Sequence, residues 1–240
     1  MGSDFTILRQ LARGMGRSAS HADNLQAFYG PQARHYDRFR EGLLHGRQVL
    51  VEAMRIAPGE RVVELGAGTG RVASFYAETV PALSSLTLVD LCPALLAQAR
   101  QRTELWPRTQ VVQADITSWQ PPWLVDKVYC SYALTMVPDW FLAVDNAIRM
   151  LRPGGLFGVV DFQVSRARAP EGLRQHSGLA RWFWRSWFAH DGVMLCGDHL
   201  PYLQARLATV QLRELEAPVP WLPGLKAPYY LFVGRKRRGD

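Results

Sequence analysis

A short β-branched run, Arg61-Val62-Val63-Glu64-Leu65, breaks directly into Gly66-Ala67-Gly68-Thr69-Gly70, and a helical stretch is expected from Arg71. A strand that ends in alternating glycines before a helix lets a ligand approach the backbone and meet the helix N-terminus. The pattern downstream repeats the same logic. Leu86 to Asp90 reads as a second strand, and Cys92-Pro93 opens a helix, since proline suits a first helical turn. Gln110 to Gln113 is a third strand leading to Ala114-Asp115, and Asp126 to Ser131 is a fourth. Asp139 is a plausible N-cap for a helix through Arg149 to Leu151, which Arg152-Pro153-Gly154-Gly155 stops. Leu156 to Phe162 is continuously apolar, as a strand covered on both faces should be. Alternating strands and helices of this kind predict an α/β fold with a doubly wound parallel sheet.

Two further strands, about Leu207 to Leu215 and Tyr229 to Arg235, flank a proline-rich connection from Pro218 to Gly224 and are expected to pair as a terminal antiparallel hairpin. About 44 residues separate the fifth strand from the sixth, more than a crossover needs. We therefore expect one domain over residues 1–240, divided into an N-terminal cap (1–57), a cofactor-binding core (58–162), an inserted substrate cap (163–205) and the hairpin (206–240).

The loop itself is Gly-x-Gly-x-Gly preceded by Glu64, unlike the Gly-x-Gly-x-x-Gly of dinucleotide sites. A carboxylate beside the loop opposes a pyrophosphate and suits a cofactor with a cationic amino-acid end. Asp90, ending the next strand, can accept both hydroxyls of a ribose, and Asp115 can read an adenine edge. S-adenosylmethionine, which carries an ammonium and a sulfonium, is the cofactor expected, with S-adenosylhomocysteine as product. Glu64, Gly66, Ala67, Gly68, Gly70, Asp90 and Asp115 form the expected cofactor site, and Leu91, Ile116 and Tyr132 the adenosine and methyl surroundings. The run Glu64-Leu65-Gly66-Ala67-Gly68-Thr69-Gly70 resembles the first motif of class I S-adenosylmethionine-dependent methyltransferases. That resemblance implies a Rossmann-like seven-stranded sheet ending in an antiparallel hairpin.

The chain lacks the Asn-Pro-Pro-Tyr signature of base-methylating enzymes after its fourth strand and has Ser131-Tyr132-Ala133-Leu134-Thr135-Met136 there, which favours a small-molecule or lipid acceptor. Longer runs are more specific. Tyr36-Asp37-Arg38-Phe39-Arg40, Leu43-Leu44-His45-Gly46-Arg47, Tyr129 to Met136, Pro138-Asp139-Trp140-Phe141, His190-Asp191-Gly192-Val193 and Asp198 to Leu203 resemble the diacylglyceryl-homoserine N-methyltransferases of betaine-lipid synthesis. The resemblance covers about residues 28 to 237 and departs at Cys196-Gly197, where the family pattern has Ser-Pro. It implies three successive methylations of a lipid-linked homoserine amine; the alternative is another lipid or small-molecule methyltransferase, acting by phosphatidylethanolamine N-methylation or quinone methylation, and a homoserine-lipid synthase is a candidate partner.

Candidate catalytic residues are Tyr36, Tyr132, His190 and His199. Tyr36 either orients the cofactor or packs within the cap. His190 and His199, beside Asp191 and Asp198, are candidates for a base or an ammonium partner, against the plainer reading of hydrogen-bonded cap histidines. No metal is expected, because the ligand spacing is irregular. Tyr132, Trp140, Tyr202 and Tyr229 are candidates for the aromatic faces that a quaternary ammonium prefers.

Composition narrows the setting. The net charge of +7 divides into +3 over residues 1–57, −2 over 58–162 and +6 over 163–240, and only three of the 28 basic residues are lysines. Basic flanks around a slightly acidic core favour an anionic partner surface, although an arginine bias in base composition explains the residue choice equally well. Between Leu179 and Phe188, residues 179, 180, 183, 184, 187 and 188 form one apolar stripe at helical spacing with Arg181 and Arg185 opposite. That helix fits either a water–lipid boundary or an ordinary cap packed on the core. Phe5, Ile7, Leu8 and Leu11 among Arg9, Arg13 and Arg17 form a second basic amphipathic segment. No stretch is long and apolar enough for a transmembrane helix, and no signal-like run opens the chain, so a cytoplasmic protein peripherally associated with the membrane is expected, without nucleic acid as partner.

Overall fold

The computed structural model describes residues 21–30, 37, 41–220 and 222–238. Seven strands make one sheet in the order β3-β2-β1-β4-β5-β7-β6. The strands are β1 (Arg61–Leu65), β2 (Ser85–Asp90), β3 (Thr109–Gln113), β4 (Val125–Ser131), β5 (Leu151–Phe162), β6 (Ala208–Val219) and β7 (Leu222–Arg235). Strands β1 to β5 pair in parallel, and β7 lies antiparallel between β5 and β6. The chain therefore reverses its direction of travel across the sheet between β1 and β4, where open α/β sheets form a crevice at the carboxyl ends of their strands.

Alternating side chains feed two cores. From β1, Val62 joins the first, with α1 (His21–Tyr29), α2 (Arg47–Met54), α3 (Pro93–Thr103) and α5 (Gly178–Ala189). Val63 and Leu65 join the second, with α4 (Trp140–Met150) and α6 (His199–Arg206). Period-2 burial with helices on both faces is what the apolar strand runs require.

Four elements depart from the sequence reading. The segment after the glycine loop forms 3₁₀ turns at Val72–Tyr76 and Val80–Ala82 instead of an α-helix. Pro81 disfavours helical geometry at the residue before it and leaves little room for a longer helix. The fifth strand starts at Leu151, and Arg152-Pro153-Gly154-Gly155 belongs to it. The proline-rich stretch 218–224 is mostly strand, so the hairpin is far longer than its expected ends. Proline is tolerated there because β7 extends past β5: Tyr229 pairs with Phe162, and β7 residues before it face only the edge strand β6. Last, α6 is a crossover helix on the second core, so the insertion proper ends before His199.

In α5 the expected stripe is only partly buried. Trp184 and Phe188 pack inward and Phe183 and Trp187 lie against them, but Leu179 is 74% exposed. Trp182, outside the stripe, is 66% exposed. Among the described residues no helix is long and apolar enough to cross a membrane.

Candidate functional site

A cavity of about 240 Å³ opens at the carboxyl ends of β1, β2 and β4 and at the loop after β3. Glu64, Gly66, Ala67, Gly68, Asp90, Leu91, Asp115, Ile116 and Tyr132 all line it. Gly70 does not; its φ of +68° and close neighbours Leu88 and Ala99 place it between the loop and the α3–β2 packing.

The glycine loop is held by β2: Gly66 and Ala67 N–H both donate to Val89 O, at 2.8 and 3.0 Å. Asp90 Oδ2 accepts from Gly68 N–H and Oδ1 from Cys92 N–H, each at 2.8 Å. A carboxylate has about four acceptor sites, so these bonds leave acceptor capacity for ligand hydroxyls. Burial pushes the Asp90 carboxyl up, opposed by those backbone donors. Asp115 Oδ1 is taken by Thr117 N–H and Oγ1, both at 2.8 Å, in a turn that leaves Oδ2 without a partner among the described residues. These donor and acceptor sets fit a nucleoside: an acid poised for a ribose, an acid near a base edge, and an open backbone at Gly68, whose nearest non-neighbour contact for an added Cβ is Leu95 Cδ1 at 3.8 Å.

Glu64 is 1% exposed and its Oε2 accepts from Tyr129 O–H at 2.9 Å; Tyr129 in turn exchanges a 2.9 Å bond with Tyr76. Burial raises the Glu64 carboxyl to about 8, against the lowering effects of Tyr129 and the Arg47 charge. A cationic ligand end at this wall draws the proton off and gains a full counter-charge.

Tyr132, at the end of β4, holds a φ of +54°, a left-handed conformation rare for a bulky residue. Its hydroxyl donates to His45 O at 2.6 Å and its ring packs 4.6 Å from that of Phe162, which fixes it in place. Burial keeps its phenol protonated, so it acts as a wall and donor and is no base.

The histidines lie elsewhere. His190 is exposed at the end of α5 and does not line the cavity. His199 is 1% exposed in the second core, 4.6 Å from Trp140 and 3.4 Å from the Tyr230 hydroxyl, and its Nε2 has no partner among the described residues. Burial lowers it to about 4, so it is a neutral packed ring. Its expected catalytic role fails for a simple reason: α6 faces the sheet side opposite the cap. Trp140 meets its ring edge-on, and Tyr202 packs edge-on against Trp140, both outside the cavity. Tyr36 lies outside the described residues. Among the described residues no group of three His, Cys, Asp or Glu could hold a metal ion.

A methyltransferase-domain family matches residues 62–155. A 2-phytyl-1,4-naphtoquinone methyltransferase of Thermosynechococcus vestitus is 28% identical over 193 residues, 76% of this chain and 83% of that one. Residues 62–155 thus match a methyltransferase domain, and with methyltransferases among its relatives the chain is a methyltransferase. Trans-aconitate 2-methyltransferase of Escherichia coli strain K12 is 32% identical over 100 residues, but the match spans only 42% of this methyltransferase and 38% of that protein. Among solved structures, the N-methyltransferase NodS of Bradyrhizobium japonicum in complex with S-adenosylhomocysteine superposes with a TM-score of 0.60 at 18% identity, covering 98% of this chain and 99% of that one. That likeness establishes the fold of this methyltransferase.

Several cavity residues escape single-sequence reasoning. Asp139 lines the cavity, yet its side chain caps nothing, although its position at the start of α4 reads as an N-cap. Ser131 Oγ is buried at the same edge without a partner among the described residues. The N-terminal cap is clamped to the glycine loop: Asp37 accepts from Thr69 Oγ1 at 2.6 Å and pairs with Arg102 at 2.5 Å, while Arg102 also bonds Thr69 O. Glu41 receives both Arg71 Nε and Nη2, at 3.0 and 2.7 Å. Arg102 and Asp37 sit 65 residues apart, and nothing local in the sequence couples them.

Proposed function

We propose that this methyltransferase trimethylates the amine of diacylglyceryl-homoserine, giving the betaine lipid diacylglyceryl-trimethylhomoserine, while in contact with an anionic membrane surface. The observation that carries the reading is convergence. The sequence runs that resemble the betaine-lipid enzymes, outside the cofactor motif, supply Leu44 and Arg47, Ser131 to Ala133, Met136, Pro138 and Asp139, and all of these line the one cavity that also holds the cofactor residues. Leu25, Tyr29, Val137 and Pro138 make that wall largely apolar, as a lipid-linked acceptor needs.

Once bound, the cofactor supplies an electrophilic methyl on a sulfonium, and the acceptor must present an unprotonated amine in line with it. The residues available divide that work. Tyr132 and Ala133 shape the passage between acceptor and cofactor and exclude water. Asp139, carboxylate-bearing and uncapped, is the group in reach of an ammonium, to hold it and to take up the proton released as each amine is methylated. The third methylation consumes a neutral tertiary amine and yields a quaternary ammonium, so its product keeps no proton to lose.

The test is mass spectrometry of lipids after incubation with isotopically labelled S-adenosylmethionine and a homoserine-lipid extract. Mono-, di- and trimethylated homoserine lipid are expected. Labelling of quinones alone, the reading that the naphtoquinone methyltransferase relative favours, overturns it.

A further inference from the structure

Two cations line the cavity, Arg47 and Arg71, and they differ in how their charge is spent. Arg71 gives two hydrogen bonds to Glu41 and lies over the Phe75 ring at 5.0 Å. Arg47 opens α2 directly after Gly46, whose φ of +79° turns the chain into the helix. Leu50 and Met54 of that helix are fully buried, and Gly158 of β5 leaves the gap that Met54 fills, so α2 is locked onto the sheet. Its first residue cannot swing away into solvent.

Arg47 is 7% exposed, and among the described residues its only hydrogen bond sends Nε to Leu44 O at 3.2 Å. Among the described residues it forms no ion pair. Arg47 lines the cavity, and neither Nη atom has a hydrogen-bond partner among the described residues. Glu64 and Tyr132, which line the same cavity, both feel the guanidinium charge. Glu64 does not neutralise it at neutral pH, because burial keeps that carboxyl largely protonated. An unpaired guanidinium in a mostly apolar wall is expensive unless an anion completes it, and the planar fork of arginine matches a carboxylate with two parallel bonds.

We propose that Arg47 is the carboxylate anchor of this cavity, binding the α-carboxylate of an amino-acid end that enters it. Two molecules bring that chemistry: the cofactor through its methionyl end, and the acceptor through its homoserine carboxylate. The second source rests on the proposed function and the first does not.

The experiment compares the full chain with Arg47→Met, which keeps the apolar stem, and Arg47→Lys. Calorimetry measures binding of S-adenosylhomocysteine and of 5′-methylthioadenosine, which has the same nucleoside and no amino-acid end. Initial rates measure KM for homoserine lipid and for phosphatidylethanolamine. If the cofactor is the partner, Arg47→Met weakens S-adenosylhomocysteine on the order of tenfold or more and leaves methylthioadenosine unchanged, with partial recovery in Arg47→Lys. If the acceptor is the partner, S-adenosylhomocysteine binds as before and KM for the carboxylate-bearing lipid rises by a similar factor at nearly constant kcat. Equal loss of both nucleosides marks a merely structural arginine and overturns the proposal. So does unchanged S-adenosylhomocysteine affinity with no acceptor KM that depends on residue 47. Failure of the betaine-lipid reading alone leaves the calorimetric arm intact and so is told apart.

Discussion

Glu64 carries two consequences of one burial. Its carboxyl titrates at about 8 in the folded chain against 4.5 in the unfolded one, so the fold keeps a proton that the unfolded chain has already released. The sign is that of a raised pKa: the stability linked to this group is complete below pH 4.5 and is lost as pH rises toward 8. Glu64→Gln retains an acceptor for Tyr129 and removes the titration, so chemical denaturation should find the variant gaining on the wild type steadily over that range. Binding should move the other way. Methylated, cationic S-adenosylmethionine favours the ionised carboxylate, whereas the thioether product does not carry the sulfonium charge. Glu64→Gln should therefore lose affinity for S-adenosylmethionine more than for S-adenosylhomocysteine, on the order of tenfold. The rise in S-adenosylmethionine affinity toward pH 8 should also vanish. Calorimetry at several pH values reads both. His199 predicts an acid-side effect of opposite form. Its pKa falls from 6.5 unfolded to about 4 folded, so the unfolded chain takes up a proton first and stability drops as pH falls between those values. The full loss is on the order of 3 kcal/mol. His199→Phe, which preserves a ring against Trp140, should flatten the change in unfolding midpoint between pH 7.5 and 4.5, even if it is less stable at the upper value. Equal slopes in the two proteins would show that other groups govern acid unfolding.

At the scale of elements, the glycine loop separates shape from binding. Gly66 has a φ of +70°, and a Cβ there would collide with Ala133 Cβ, which belongs to the turn after β4. Gly68 has a φ of +53° but open space around a Cβ. Gly66→Ala should therefore cost about 2–5 kcal/mol of folding stability from strain and overpacking together. Gly68→Ala should cost about 1–2 kcal/mol for its backbone angle and weaken S-adenosylhomocysteine further, because its methyl stands where the ligand meets the backbone. Thermal unfolding with and without ligand distinguishes the two. This contrast also shows how much the sequence makes legible. Strand ends were readable because apolar runs with a terminal acid specify both the strand and the chemistry at its tip, and Glu64, Asp90 and Asp115 all meet at the cavity. What a side chain faces across the fold was not readable. The Asp198–Leu203 run marks similarity but not orientation, and α6 turns it into the second core. Arg47 looked like one arginine among many until α2 buried it without an anion. The prolines of the hairpin broke the strand pattern on paper, and only the reach of β7 beyond β5 shows why they fit.

At the scale of the molecule, α5 sets exposed apolar side chains beside an exposed arginine on one helix. Residues 163–240 hold most of the positive excess, and α5 within them presents Leu179 and Trp182 one turn apart, with Arg185 exposed next on the same face. The opposite face is anchored: Trp184 and Phe188 enter the first core, and Met194 N–H donates to Thr135 O at 2.7 Å, which ties the end of the insertion to the turn beside the cavity. If the acceptor is the lipid proposed above, a helix with two apolar side chains and an arginine outward is suited to shallow insertion. Each of the two side chains contributes roughly 1.5–3 kcal/mol if fully buried in lipid. Vesicle flotation at low salt should then show binding to phosphatidylglycerol-containing vesicles over purely phosphatidylcholine ones, weakening as salt is raised. The double substitution Leu179→Ser with Trp182→Ser should reduce that binding by tenfold or more. Its unfolding midpoint and S-adenosylhomocysteine affinity should stay at wild-type values, because neither residue touches the core or the cavity. Vesicle binding that is indifferent to lipid charge, or unchanged in the double variant, would remove α5 as the lipid-facing element and send the search to the basic segment before residue 21.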